Sequence, residues 1–115
     1  MDKLTSRADF DAVMSAGIVA VTSHFALHLQ TSKGPSRVGA VVPKRWAKKA
    51  VTRNLIKRQI YAFSREAWTA LPTADRVIRL RKTFDTQRYI SANSLHLRQA
   101  IRAELMQFMR ADSPA

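Results

Sequence analysis

Apolar residues recur at helical spacing in three stretches of the chain, and each stretch predicts a helix. The first spans residues 4–16, where Ser6 can cap the N-terminus and Gly17 can end the helix. The second spans residues 47–70 and the third spans residues 91–110. On a helical wheel, the apolar half of the second stretch is formed by Val51, Leu55, Ile56, Ile60, Ala62, Phe63 and Ala67.

Three other stretches have the apolar and β-branched composition of strands, at residues 21–30, 37–42 and 76–81. The element order is therefore helix, two or three strands, helix, strand, helix, with no internal repeat and no linker. We predict a single domain over residues 1–115 with an α+β fold, in which helices pack on a small sheet.

Side chains along the strand at residues 21–30 should alternate between its two faces. Phe25, Leu27 and Leu29 would face the core. The opposite face would then carry His24, Ala26 and His28. No histidine of the chain has a metal-binding spacing such as HExxH. His24 and His28 are too far apart along an extended strand for a close catalytic pair, so a surface or groove-lining role is favoured over general acid–base catalysis.

Positive charge changes this picture from a plain α+β domain to one with an anionic partner. The formal net charge is +12, and residues 44–65 hold eight Lys or Arg and no Asp or Glu. Nucleic acid and anionic membrane surfaces are the candidate partners. No apolar run reaches the roughly 18–20 residues of a membrane span and no signal-peptide pattern opens the chain, so we expect no membrane partner. The absence of Cys fits a reducing cytoplasm.

The polar half of the helix at residues 47–70 is the candidate phosphate-binding surface. Arg53 lies one turn before Lys57, and Asn54 lies one turn before Arg58, so their side chains should form one patch. Arg can hold a phosphate through two hydrogen bonds, and Asn54 could reach a base edge or a 2′-hydroxyl. A solvated charged face is the alternative, although such faces usually mix the two signs. Further cations extend the patch: Lys44, Arg45, Lys48, Lys49 and Arg65.

The segment RVGAVVPKRWAKKAVTRNLIKR, at residues 37–58, resembles the signature of the bacterial ribonuclease P protein component. An apolar strand with R-x-G is followed by a basic pair and loop, and then by A-V-x-R-N-x-x-K-R on a helix. The opening D-F-x-x-V at residues 9–13 and the D-x-V-I strand at residues 75–78 fit the same family. The resemblance covers most of the chain.

The resemblance implies an α/β sandwich, with a small mixed four-stranded sheet, three helices in the order α-β-β-(β)-α-β-α, and a left-handed crossover. It also implies a protein subunit that assists a catalytic RNA in removing the 5′ leader of precursor tRNA. Catalysis and the divalent ions, expected to be Mg²⁺, would belong to the RNA. The protein itself would hold no catalytic residue, no metal and no tightly bound cofactor.

Two sets of site residues follow from the resemblance. The catalytic RNA would be bound by Lys44, Arg45, Lys48, Lys49, Arg53, Asn54, Lys57, Arg58 and Arg65. The 5′ leader would lie in a cleft lined by Phe10, Val13, Met14, His24, Ala26 and His28. The chain departs from the family pattern at Leu55, where the motif usually has Arg, and at Tyr61, where another Arg is common.

Two other interpretations stay open at this point. A basic RNA- or DNA-binding protein of the ribosomal type could use the same helix without any role in cleavage, for example in a DNA major groove. A protein-only nuclease could use His24 or His28 as its acid or base.

Overall fold

Three helices pack on the two faces of one sheet in the computed structural model, which describes residues 2–32, 34–68, 73–84 and 95–112. The elements in chain order are β1 (Asp2–Lys3), α1 (Arg7–Ser15), β2 (Ile18–Val21), β3 (Phe25–Thr31), β4 (Arg37–Val41), α2 (Ala50–Ala67), β5 (Ala74–Leu80) and α3 (Leu95–Asp112). The predicted α+β class is confirmed.

The sheet is mixed, with the strand order β1-β4-β5-β3-β2. β4 pairs in parallel with β1 and with β5, whereas β3 pairs antiparallel with β5 and with β2. Helix α2 therefore connects two parallel neighbours, β4 and β5, as the resemblance implies. The described part of the chain has five strands rather than four, because the two-residue β1 adds an edge that no sequence pattern marks.

The main core lies between the sheet and the helix pair α2 and α3. Phe25 and Leu27 of β3 contribute to it, with Ile78 of β5. The stripe of α3 faces this core and is fully buried, at Leu97, Ile101, Leu105 and Phe108. Among the residues that the structure covers, no helix is long and apolar enough to cross a membrane.

Helix α1 covers the opposite face of the sheet. Val13 packs there with Leu4 and with Val77 of β5. The predicted roles of Ser6 and Gly17 at the two ends of α1 are confirmed, because the Ser6 side chain accepts a hydrogen bond from the Asp9 amide over 3.0 Å and Gly17 adopts a positive φ of 106°. The helix itself starts at Arg7 rather than residue 4, because the N-cap Ser6 still has an extended backbone.

Helix α2 has a buried half and an exposed half, and the buried half agrees with most of the apolar half predicted by the helical wheel. Leu55 is 6% exposed and joins Ile56, Ile60 and Phe63 in the core. The prediction for Val51 is wrong, since this side chain is 48% exposed. Val51 lies in the first turn, among the exposed residues that begin the helix, where no part of the core covers it. Helix α2 starts at Ala50 and ends at Ala67 rather than spanning residues 47–70, and the predicted start of α3 at residue 91 lies outside the described residues.

Candidate nucleic-acid interface

The exposed half of α2 forms one wall of a groove of about 710 Å³. The groove is lined by Lys3, Asn54, Lys57, Arg58, Gln59, Tyr61, Ala62 and Arg65. The charged side chains of this lining are all cations. Within the described ranges, none of these cations is paired with a carboxylate at 4.0 Å or less. The groove therefore offers several positive charges and two side-chain amides to an anionic ligand, and we call it the α2 groove.

Four of the predicted RNA-binding residues meet in the α2 groove, at Asn54, Lys57, Arg58 and Arg65. Gln59, which interrupts the apolar half of the wheel, also lines the groove. Lys3 and Tyr61 complete it and were missed, because the sequence separates Lys3 from α2 and β1 is too short to show a strand pattern. Glu66 also falls in the apolar half of the helical wheel, and it pairs with Arg102 of α3 over 2.6 Å.

Arg53 holds the basic loop that precedes α2. Its Nη1 donates hydrogen bonds to the carbonyl oxygens of Ala47 over 3.0 Å and of Lys48 over 2.8 Å. This half-buried side chain does not line the α2 groove. Its predicted contact with RNA stays a prediction, and its visible contacts give it a positioning role for the loop.

The loop at residues 44–49 presents its cations outward from an apolar anchor. Ala47 is buried, and Trp46 packs partly against the main core. Arg45 lies over the Trp46 ring, with Cζ 5.2 Å from the ring centroid. The exposed cations of the loop are Lys44, Arg45, Lys48 and Lys49. The loop thus continues the positive surface of α2 towards the start of the helix.

The predicted leader cleft is mostly a packed interface between α1 and the sheet. Val13 is the buried residue of α1, and Ala26 and His28 of β3 are buried in the sheet beneath that helix. Phe10 and Met14 are half-buried and remain partly accessible at its margin. Burial, and then the charge of Arg79, lower the pKa of His28 below its ordinary value, and Arg79 Nε lies 3.4 Å from His28 Nε2.

His24 does not share a face with Ala26 and His28, so this part of the prediction is wrong. β3 begins only at Phe25, and the His24 ring is turned towards α3. It stacks on Phe84 with ring centroids 3.9 Å apart, and its Nδ1 lies 2.5 Å from Glu104 Oε2. His24 therefore lies on the α3 side of the sheet and His28 on the α1 side, an arrangement that does not form a catalytic pair.

Arg37 of β4 joins α1 to the sheet through two ion pairs. Its guanidinium donates to both carboxylate oxygens of Asp75 on β5, over 3.1 and 2.8 Å, and to Asp9 of α1 over 3.0 Å. The hydrogen bond to Asp75, followed by the charges of Asp75 and Asp9, raises the pKa of Arg37 above its ordinary value. The ion pairs therefore hold α1 at a fixed position on the sheet.

Side chains that could bind a metal are scattered over the described residues. No group of three or more His, Cys, Asp or Glu comes together in that part of the chain. The charged surface that does form is the cationic one along α2 and its loop.

Comparisons with known proteins concern the family and the fold of the chain. The family model for ribonuclease P matches residues 1–105. The chain is 37% identical over 86 residues to the ribonuclease P protein component of Ralstonia pickettii (strain 12J), covering 74% of this chain and 61% of that protein. It is 45% identical over 69 residues to that of Microcystis aeruginosa (strain NIES-843 / IAM M-2473), covering 56% and 58%. The matches thus span about three fifths of the length of these two curated relatives.

The fold is also that of solved structures. The RNase P protein from Thermotoga maritima superposes with a TM-score of 0.73 at 22% identity, covering 99% of this chain and 100% of that one. At this identity the likeness concerns the fold.

Proposed function

The chain belongs to the ribonuclease P protein family, and we propose that it acts as the protein subunit of ribonuclease P. In this role it binds the catalytic RNA subunit and assists removal of the 5′ leader from precursor tRNA. The observation that carries the proposal is the α2 groove, a cluster of cations without a carboxylate on an ordered helix. This role would place the protein in the cytoplasm, where tRNA is processed.

The α2 groove and the basic loop supply the contacts to the RNA subunit. Arg58 and Arg65 can each hold a phosphate through two hydrogen bonds, whereas Lys57 acts as a point charge. Asn54 has both a donor and an acceptor, so it can bind a base edge or a 2′-hydroxyl beside those phosphates. Binding would release counterions from the RNA, so affinity should fall steeply with salt.

The 5′ leader would lie along the margin of α1, where Phe10 and Met14 are partly accessible. Bases of a single strand can stack on Phe10, and the thioether of Met14 can pack beside them. Val13, Ala26 and His28 would support this surface from below. The leader therefore requires contacts at the rim of α1, because the predicted floor is buried.

The protein would contribute binding rather than bond cleavage. The RNA subunit would supply the Mg²⁺ ions and the reacting groups, and the protein would raise its affinity for precursor tRNA. By placing cations against the RNA, the protein also lowers the concentration of Mg²⁺ that the RNA requires.

Reconstitution tests the proposal directly. The purified protein is added to a bacterial ribonuclease P RNA with precursor tRNA at low Mg²⁺, and release of the leader is measured. We expect cleavage at the mature 5′ end to depend on both components, with no cleavage by the protein alone. Cleavage of the same bond by RNA-free protein, or no stimulation of the RNA, would contradict the proposal.

Competition binding separates this role from that of a general nucleic-acid-binding protein. At matched salt, labelled ribonuclease P RNA should be displaced by unlabelled copies at much lower concentration than by duplex DNA. Preference for the DNA would favour a helix that enters the major groove.

A further inference from the structure

Strand β1 holds Lys3 in a fixed place beside α2. The Asp2 amide donates to the Ser36 carbonyl oxygen over 3.2 Å, and the Leu4 amide donates to that of Val38 over 2.9 Å. The Leu4 side chain is buried on the α1 side of the sheet. Because alternate side chains of an extended chain point to opposite faces, Lys3 points to the α2 side.

Tyr61 of α2 supports the Lys3 side chain. The Tyr61 hydroxyl accepts a hydrogen bond from the amide of Ala40 over 3.2 Å, which ties the ring to β4. Lys3 Nζ lies 4.4 Å from the centroid of that ring, a cation–π distance. A ring that is held by the sheet and covered by the lysine therefore fixes the amine at the edge of the α2 groove.

Lys3 lines the groove from β1, whereas the other cations line it from α2. It shares the lining with Lys57, Arg58 and Arg65. Like charges gathered in this way repel one another until an anion neutralises them, so this arrangement favours a polyanionic ligand between the two walls. The helix itself cannot add a further cation at Leu55, because that side chain is buried in the core.

We propose that β1 and α2 form a two-walled phosphate-binding groove, in which Lys3 contacts the backbone of the same RNA subunit that α2 binds. This inference rests on the proposed function. Position 55 of α2 holds a buried Leu and adds no charge to the groove. Lys3 adds a positive charge there from β1. An RNA strand in the groove is then held from two sides, and the short N-terminal strand is part of the RNA-binding surface.

Salt-dependent binding to ribonuclease P RNA alone tests this contact, with Lys3→Ala compared with Lys82→Ala. Lys82 is an exposed lysine after β5 and does not line the groove, so both variants lower the net charge equally. We expect Lys3→Ala to reduce the slope of log affinity against log salt by about 0.7–0.9, the loss of one phosphate contact. Lys82→Ala should keep the wild-type slope. Lys3→Arg keeps the positive charge, so it should also have the wild-type slope.

The result separates this inference from the proposed function. Wild-type protein that fails to bind or stimulate the RNA contradicts the function itself. Wild-type protein that does both, while Lys3→Ala behaves like Lys82→Ala, overturns the contact of Lys3 alone. Unchanged binding of Lys3→Ala to the RNA subunit, with weaker binding of precursor tRNA by the assembled enzyme, also overturns it and assigns the phosphate to the substrate.

Tyr61 provides an independent check that the ring positions the amine. Tyr61→Phe keeps the ring under Lys3, so it should retain the wild-type salt slope. Tyr61→Ala removes the ring, and Lys3→Ala made in that background should change the slope less than in the wild type. Equal effects of Lys3→Ala in both backgrounds would show that the Tyr61 ring does not position the Lys3 amine. Circular dichroism verifies that each variant is folded.

Discussion

Gly39 lets the ring of Phe10 lie directly against β4. A Cβ at Gly39 would stand 2.3 Å from Phe10 Cε1 and 2.6 Å from its Cζ, closer than any real contact. We therefore expect Gly39→Ala to push α1 from the sheet and to lower the free energy of unfolding by about 1–3 kcal/mol, as overpacking does. Urea unfolding measures this loss.

Two further variants test the cause of that loss. At Gly34, the nearest atom to an added Cβ is 3.9 Å away, so Gly34→Ala should change stability by less than about 0.5 kcal/mol. Phe10→Leu removes ring atoms from the contact, so Gly39→Ala should cost less in that background. Equal costs at both glycines would show that Phe10 does not restrict Gly39.

Burial of His28 links stability to pH. Because burial, and then Arg79, lower its pKa, the folded chain binds a proton at this site less readily than the unfolded chain does. Stability should therefore fall as the pH is lowered from about 6.5, the ordinary pKa, through the lower pKa of the folded state. His28→Gln should flatten this part of the curve of unfolding free energy against pH.

The matched control for His28 is His96, an exposed histidine on α3. His96→Gln should leave the shape of the pH curve as it is in the wild type. A curve that flattens in His96→Gln but not in His28→Gln would place the pH dependence outside the α1 interface.

Variants in the two halves of α2 should affect different properties, with the buried half governing stability and the exposed half the proposed RNA binding. Leu55 stands where the family motif usually has Arg, yet its side chain is in the core. Leu55→Arg would bury an unpaired charge, and we expect it to lower the free energy of unfolding by roughly 3 kcal/mol or more. Thermal unfolding should show a large fall in the midpoint, with no gain in RNA affinity at temperatures where the variant is folded.

Val51 gives the opposite case on the same helix. It is 48% exposed in the first turn of α2, so Val51→Arg places a cation in solvent beside the basic loop. The free energy of unfolding of this variant should lie within about 0.5 kcal/mol of the wild-type value. An equally small change in the free energy of unfolding for Leu55→Arg would show that position 55 is not in the core.

The long helices were predictable because their apolar stripes repeat over several turns. The stripe of α3 and the buried residues from Leu55 to Phe63 follow directly from a periodicity of 3.6 residues. The basic half of α2 followed from the same wheel, since a half that is not apolar is left to solvent. The cations of the α2 groove, apart from Lys3, are therefore predictable from the sequence alone.

Short elements carry too little pattern for such predictions. β1 has two residues and is defined only by its pairing with β4, a contact between distant parts of the chain. His24 was assigned to a strand face because alternation was extended past the strand, whereas the ring is held by Glu104 and Phe84. Tertiary contacts of this kind decided which residues join the α2 groove and which leave the α1 face.

For the whole molecule, the net charge of +12 and the α2 groove offer two different explanations of the proposed RNA binding. A diffuse positive field would attract RNA to any part of the surface and would depend only on total charge. A groove would instead depend on where the charges stand. The two explanations predict different results for variants with the same net charge.

Two triple variants distinguish these explanations. One replaces three cations of the groove, Lys57, Arg58 and Arg65, by Ala. The other replaces three exposed cations outside it, Arg7, Lys82 and Arg98, by Ala. Both lower the net charge by the same amount, so a diffuse field predicts equal losses of affinity for ribonuclease P RNA.

We expect the groove variant to reduce the slope of log affinity against log salt by about 2–3, since each lost phosphate contact removes about 0.7–0.9. The control variant should keep nearly the wild-type slope and should still stimulate leader removal at low Mg²⁺. Similar slopes for the two variants would show that the RNA is held by total charge. A loss confined to the groove variant would mean that the fold, by turning one half of α2 away from the core, determines where the RNA binds.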